Sequence, residues 1–271
     1  METVLAFLAG LLIGSFLNVC IFRLPRDLSV VRPRSFCPAC EKPIAWYDNI
    51  PVLSFVLLRG RCRHCRERIL WRYPLVELAT GAAFAVCVAA LGVTPQAAKY
   101  SIFAAILITL IASDMEERIL PDEFTLGGIL IGLVFAAFVY LKPEFAHVIL
   151  PPTWEPRWIS VGEAVLGAGF SSGSIWLVGW LYMKVRHREG LGFGDVKMIA
   201  MIGAFLGLKF ALLTLIAASL LGAVGGLVYI FVTGKDASTY ELPFGSFLGL
   251  AALSVAMFGE VVTGWYSRMG S

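Results

Sequence analysis

The chain has 271 residues, a mean hydropathy of +0.80, 58% hydrophobic residues and only 15% charged ones. A soluble domain is about half apolar and about a quarter charged, so this composition excludes an ordinary soluble globule and points to an integral membrane protein. The net charge is only +3, and the arginines cluster beside apolar segments without interleaved aromatic platforms, which excludes a nucleic-acid partner.

The first element is METVLAFLAGLLIGSFLNVCIF. It lacks a basic leader region, so it reads as a retained first span and not as a cleaved signal. A bilayer core needs roughly 20 mostly apolar residues per helix. Spans are expected at about 3–22, 73–91, 98–113, 124–141, 160–183, 198–209, 211–232 and 246–265. The fold class is therefore an all-α polytopic membrane protein of eight transmembrane helices; if residues 198–232 are one kinked element, the count is seven. With the N-terminus outside, the inner segments 23–72, 114–123, 184–197 and 233–245 hold 17 of the 22 lysines and arginines. That bias marks them as cytoplasmic.

Between the first two spans lies the one sizeable polar region, residues 24–72. It carries Cys37-Pro-Ala-Cys40 and Cys62-Arg-His-Cys65, two CxxC pairs with 21 residues between them. Thiolates two residues apart grip one tetrahedral ion, and two such pairs complete a four-sulfur site. Zinc is the default metal for this set, although iron also accepts it. A disulfide is the competing reading, and a reducing cytoplasm weighs against it. His64 is expected to be a solvated neighbour. Four thiolates leave no open position, so the metal is expected to shape a loop too small for its own core. Cys20 and Cys87 fall in apolar spans and read as small core residues.

Further along, acids at the edges of spans draw attention because they are costly there. Asp114 ends the third span in LIASDMEERILPDEF, and Asp195 precedes the sixth in GFGDVKMIAMIG. Both are placed at the cytoplasmic edge by the topology above. Two close carboxylates share a proton, so one can act as base while the other acts as acid in water attack on an amide. Each also has a plainer reading, Asp195 as a helix cap and Asp114 as an ion-pair partner. Asp122 and Glu123 follow Pro121 and suit a helix N-terminus. Glu116 and Glu117 are expected to be solvated, or to pair with Arg118 or the basic loop. Glu77 pairs with Arg72 or Lys197, or lines a polar cavity. Asn18 is expected to bond across helices, and Glu163 and Glu260 to snorkel to water at the outer ends.

The segment GLGFGDVK, residues 190–197, is neither a dinucleotide fingerprint nor a phosphate loop, because the third glycine and the Gly-Lys-Ser/Thr ending are missing. Gly192 and Gly194 read instead as allowing a strand or helix to approach Asp195.

Taken in order, GSFLNVCIFRLP, the CPAC and CRHC pairs, YDNIPVLSFVLLRGRC, RYPLVELATG, the Asp114 segment with LPD, and GFGDVK resemble bacterial type IV prepilin peptidases from about residue 14 to about 200. The resemblance implies a GxGD-type aspartyl protease of the bacterial inner membrane, with Asp114 and Asp195 as its catalytic pair. It implies prepilin and type II secretion pseudopilin substrates, whose basic leader is cleaved after a glycine on the cytoplasmic side. It also implies N-methylation of the new N-terminal residue with S-adenosylmethionine, and one structural zinc on Cys37, Cys40, Cys62 and Cys65. The implied organisation is a first membrane helix over 1–23, a four-cysteine domain over 24–72 and a membrane peptidase domain over 73–271. A transporter or assembly factor with a zinc-stabilised loop is the alternative, as is a peptidase without the methyltransferase. The acids Glu116, Glu117, Asp122 and Glu123 are candidates for attracting the basic leader. The methyltransferase residues and the oligomeric state are not legible.

Overall fold

The computed structural model of the protein describes residues 1–151, 153–187, 192–233 and 243–269. The chain forms two compact units, Met1–Glu117 and Arg118–Ser271. Extended pairing among the described residues is confined to two isolated bridges, so the protein is all-α as expected.

The first unit contains α1 (Glu2–Arg23), α2 (Leu53–Leu57), α3 (Arg72–Leu91) and α4 (Pro95–Glu117). Local chemistry sets their ends. Pro25 follows α1 at a point where its missing N–H and fixed φ cannot continue the helix. Gly92 ends α3 with φ +68, a conformation that favours glycine. Thr94 then caps α4, its hydroxyl accepting from the Ala97 N–H at 3.2 Å, with Pro95 at the first helical position.

α1 and α3 meet along a seam of small residues. A Cβ at Gly10 would lie 2.7 Å from Gly81 Cα, and one at Gly14 would lie 2.7 Å from Glu77 Cα. Only hydrogen fits there, which is how membrane helices bring their backbones together. One turn further along α1, Asn18 donates to the Tyr73 carbonyl at 3.0 Å, the expected bond across helices.

The second unit contains α5 (Asp122–Ala136), α6 (Ala146–Ile149), α7 (Pro156–Arg186), α8 (Phe193–Leu206), α9 (Leu208–Thr233) and α10 (Phe244–Met269). Its centre is α8, where Met198, Ile199, Met201, Ile202, Ala204 and Phe205 are fully buried. α7 crosses it at Gly167 and Gly203: a Cβ on Gly203 would lie 2.3 Å from the Gly167 carbonyl oxygen. Gly207, at φ +81, ends α8 and α9 starts at the next residue. The expected break near Lys209 therefore falls two residues earlier, and the single kinked element is not formed.

Six helices among the described residues are long and apolar enough to cross a membrane: those within 2–26, 72–91, 95–117, 156–186, 208–229 and 244–265. Of the other two expected spans, 124–141 is realised as the shorter α5, while α8 slightly exceeds the expected 198–209. α5 has 15 residues and α8 has 14, about 21–23 Å at 1.5 Å per residue, against a hydrocarbon core of about 30 Å. Leu5, Leu8, Leu12 and Phe16 of α1 are exposed, as lipid-facing side chains are; the helix is apolar on all sides because its solvent is hydrocarbon.

Glu163 departs from the expectation of snorkelling. It is 1% exposed, and its Oε2 accepts from the N–H groups of Phe145 at 2.9 Å and Ala146 at 2.8 Å. The start of α6 supplies two backbone donors with no partner inside the helix, and a carboxylate satisfies both at once. Glu260 is exposed and pairs with Lys142 at 2.8 Å.

Candidate functional site

Residues 35–69 build two copies of one small motif. In the first, the Glu41 N–H donates to the Cys37 carbonyl at 2.8 Å and the Cys37 N–H to the Lys42 carbonyl at 3.0 Å. In the second, Arg66 donates to Cys62 at 3.1 Å and Cys62 to Glu67 at 2.8 Å. Glu41 and Arg66 both take positive φ, 57° and 61°, the left-handed step that folds each turn back over its sulfurs. A bridge closes each copy, Phe36 with Pro43 and Arg61 with Arg68.

These two turns bring Cys37, Cys40, Cys62 and Cys65 together, with their sulfurs all within 4.8 Å of one another. The four are free thiols, so neither pair is a disulfide. Cys37 Sγ and Cys65 Sγ are 3.8 Å apart, the edge of a tetrahedron around an ion that binds sulfur at about 2.3 Å. The donor set therefore fits a metal ion. The electrostatics agree. Backbone N–H groups of Cys65 and His64 bring the Cys62 thiol down to about 7. Cys65 is pushed up to about 12: the Glu67 N–H favours its thiolate, but burial and the neighbouring sulfurs outweigh it. One thiolate forms readily and resists the next, a repulsion that a divalent cation removes. His64 is exposed and outside the cluster, as expected.

The loop is fastened to the membrane helices by residues the sequence did not single out. Arg23, 4% exposed, donates to the carbonyls of Ser29 and Pro33, both at 2.8 Å. Arg63 forms a two-point pair with Asp48 at 2.7 and 2.6 Å, and its charge holds the Asp48 carboxyl below the usual range. Glu116 and Glu117 pair with Arg72 and Arg26, which selects the basic-loop alternative of the three expected for them. Among the described residues of its unit, Glu77 pairs with no basic side chain, Arg72 included. Its Oε2 accepts from the Val52 N–H at 2.7 Å, and the residue lines a cavity of the first unit.

Asp114 lies in the last turn of α4 and is 6% exposed. Asp195 is half-buried in the first turn of α8, where its N–H donates to the Gly192 carbonyl at 3.1 Å. Among the described residues Gly192 is open: the one atom within 4 Å of a Cβ placed there is Asp195 Oδ2, at 3.4 Å. Gly194 is the close approach, since a Cβ there would lie 3.2 Å from Leu120 Cβ. The glycines thus admit the Leu120-Pro121-Asp122 segment beside Asp195, and Lys197 pairs with Asp122 at the same place. Gly190 and Leu191 lie outside the described residues.

Known proteins give a consistent comparison. Residues 8–91 match the bacterial peptidase A24 N-terminal domain, and residues 101–227 match the type IV leader peptidase family. Among curated relatives, a prepilin leader peptidase/N-methyltransferase of Aeromonas salmonicida is 33% identical over 97% of this chain and 92% of its own length. One of Burkholderia pseudomallei is 35% identical over 100% of this chain and 89% of its own. One of Myxococcus xanthus is 40% identical over 86% of this chain, which spans 64% of that protein. No solved structure matches the chain. With both family models matched in order and relatives aligned along almost the whole sequence, the chain belongs to the type IV leader peptidase family.

Proposed function

We propose that this protein cleaves the basic leader peptide from type IV prepilins and type II secretion pseudopilins and then N-methylates the new N-terminal residue. The observation that carries this reading is the alignment, over nine-tenths of their length, with proteins named for both activities. Asp114 and Asp195 are the proposed catalytic pair. One carboxylate takes a proton from the attacking water while the other, protonated, gives its proton to the leaving amide nitrogen. Asp195, beside the open Gly192, suits an extended substrate backbone.

In this reading residues 1–23 are the first inner-membrane helix, 24–72 a cytoplasmic zinc domain and 73–271 the peptidase. The zinc on Cys37, Cys40, Cys62 and Cys65 is structural, and S-adenosylmethionine is the methyl donor. A prepilin offers a basic leader followed by an apolar helix, so its helix rests in lipid while the scissile bond sits at the interface.

The test uses purified protein, a prepilin and labelled S-adenosylmethionine. Asp114→Asn and Asp195→Asn should each lower leader cleavage by at least about 100-fold, the size of a lost general acid or base. Both should still methylate a pre-cleaved pilin. Full cleavage by either variant would refute the two-aspartate mechanism.

A further inference from the structure

The unit Met1–Glu117 encloses a cavity of about 540 Å³ between α1, α3 and the two cysteine turns. That volume is within the roughly 300–1,000 Å³ of small-molecule sites; Cys37 and Cys62 stand on its wall, but a single ion between four sulfurs would leave most of it empty. Its wall is divided in charge. Arg26, Arg63 and Arg72 are held in ion pairs and Arg23 on backbone carbonyls, while Lys42 and Arg68 stand on the loop side. Glu77 is the reverse case. It is 8% exposed, lines the cavity, and is held by the Val52 N–H instead of by a cation. Among the described residues no basic side chain pairs with it, so the helix side of the cavity offers a carboxylate to a cationic group of a ligand.

A second observation stands apart from the charge. Asn18, 2% exposed and also on the wall, has a buried Oδ1 with no hydrogen-bond partner. A buried acceptor left unmet costs about 1–3 kcal/mol. The α1–α3 seam pairs Gly14 with Glu77 and Asn18 with Tyr73, so the carboxylate and the orphan oxygen sit one turn apart on the same seam. Phe22, Phe36 and Tyr73 add ring surfaces to the wall.

We propose that this cavity holds the methyl donor, an adenosyl sulfonium, with its α-ammonium group against Glu77 and Asn18. The assignment rests on the methyltransferase half of the function proposed above. In the transfer the acceptor amine gains an N–CH3 bond as the S–CH3 bond breaks. The sulfur becomes a neutral sulfide, and the amine loses one proton to water. Glu77 and Asn18 position the donor; they are not assigned to proton transfer.

Calorimetric titration of the full-length protein in detergent with S-adenosylhomocysteine tests this without turnover. One molecule should bind per chain, and Glu77→Gln and Asn18→Leu should each raise the Kd at least tenfold. Glu2→Gln, exposed and off the cavity wall, should leave it unchanged. Unchanged affinity in both wall variants overturns the assignment. If Glu77→Gln does not accumulate, Ser35→Phe fills the cavity from its loop side and should abolish binding; retained binding overturns the assignment equally. Wild-type protein that cleaves leaders yet binds no S-adenosylhomocysteine sinks the donor site and leaves the peptidase standing. Protein that does neither sinks both.

Discussion

Cys65→Ser probes the four-sulfur geometry at its most exposed corner. The Cys37 and Cys65 sulfurs are 3.8 Å apart. The centre of a regular tetrahedron lies about 0.61 of an edge from each corner, which places an ion about 2.3 Å from each sulfur, the zinc–thiolate distance. X-ray absorption at the zinc edge of the purified protein should show four sulfurs at that distance and about one ion per chain. A serine hydroxyl stays protonated at neutral pH and is a poor substitute, so Cys65→Ser should lose most of the metal. Structural zinc supplies about 10–16 kcal/mol of folding energy in modules this small. Without it the loop should open, and trypsin should cut at Arg59, Arg61, Arg66 and Arg68 while the membrane helices stay intact. A first shell containing nitrogen or oxygen refutes the reasoning, as does a Cys65→Ser protein that keeps a full ion and resists trypsin.

The remaining predictions concern packing and charge. At Gly14 an added methyl meets backbone at 2.7 Å. Gly14→Ala should therefore cost about 1–3 kcal/mol of overpacking, against about 1 kcal/mol gained in helix propensity, and the Tm in detergent should fall. Gly169→Ala in α7, with nothing within 4 Å, should hold or raise the Tm; a fall there contradicts the argument. Glu163→Ala orphans two backbone donors at Phe145 and Ala146 and should cost about 1–3 kcal/mol for each one left buried; Glu163→Gln, which keeps an acceptor, should recover part of the loss in the same thermal assay. Of the four acids expected to attract a basic leader, Glu116, Glu117 and Asp122 are spent on Arg72, Arg26 and Lys197. The exposed Glu123 should carry what steering there is, so Glu123→Lys should raise KM with kcat unchanged, and unchanged kinetics would remove the idea.

Much of the site was legible because its chemistry is local. A CxxC turn encodes its own geometry through backbone bonds that close within six residues, so two such turns announced a metal cluster. Pro121 before Asp122 and Gly192 before the apolar run of α8 likewise mark helix starts that local rules identify. Where the expectation failed, the deciding partner was distant in sequence. Glu163 was expected at the water interface because hydropathy cannot show that the N–H groups of Phe145 and Ala146 lie next to it. Glu77 could not be assigned because its partner, Val52, belongs to a loop whose path only folding reveals.

Composition by itself determined that this is an all-helical membrane protein, since hydrocarbon forces every backbone polar group to be satisfied within its own helix. Motif order by itself determined the family and picked out the four cysteines that come together. Tertiary structure decided that α5 ends at Ala136, short of the expected 124–141, because the end of that helix depends on what packs against it. It also decided that α1 and α3 close on a glycine seam carrying Asn18 and Glu77, and that this seam opens onto a cavity. A cavity is a property of several distant segments packing at once, and no periodicity or motif within one segment can specify it.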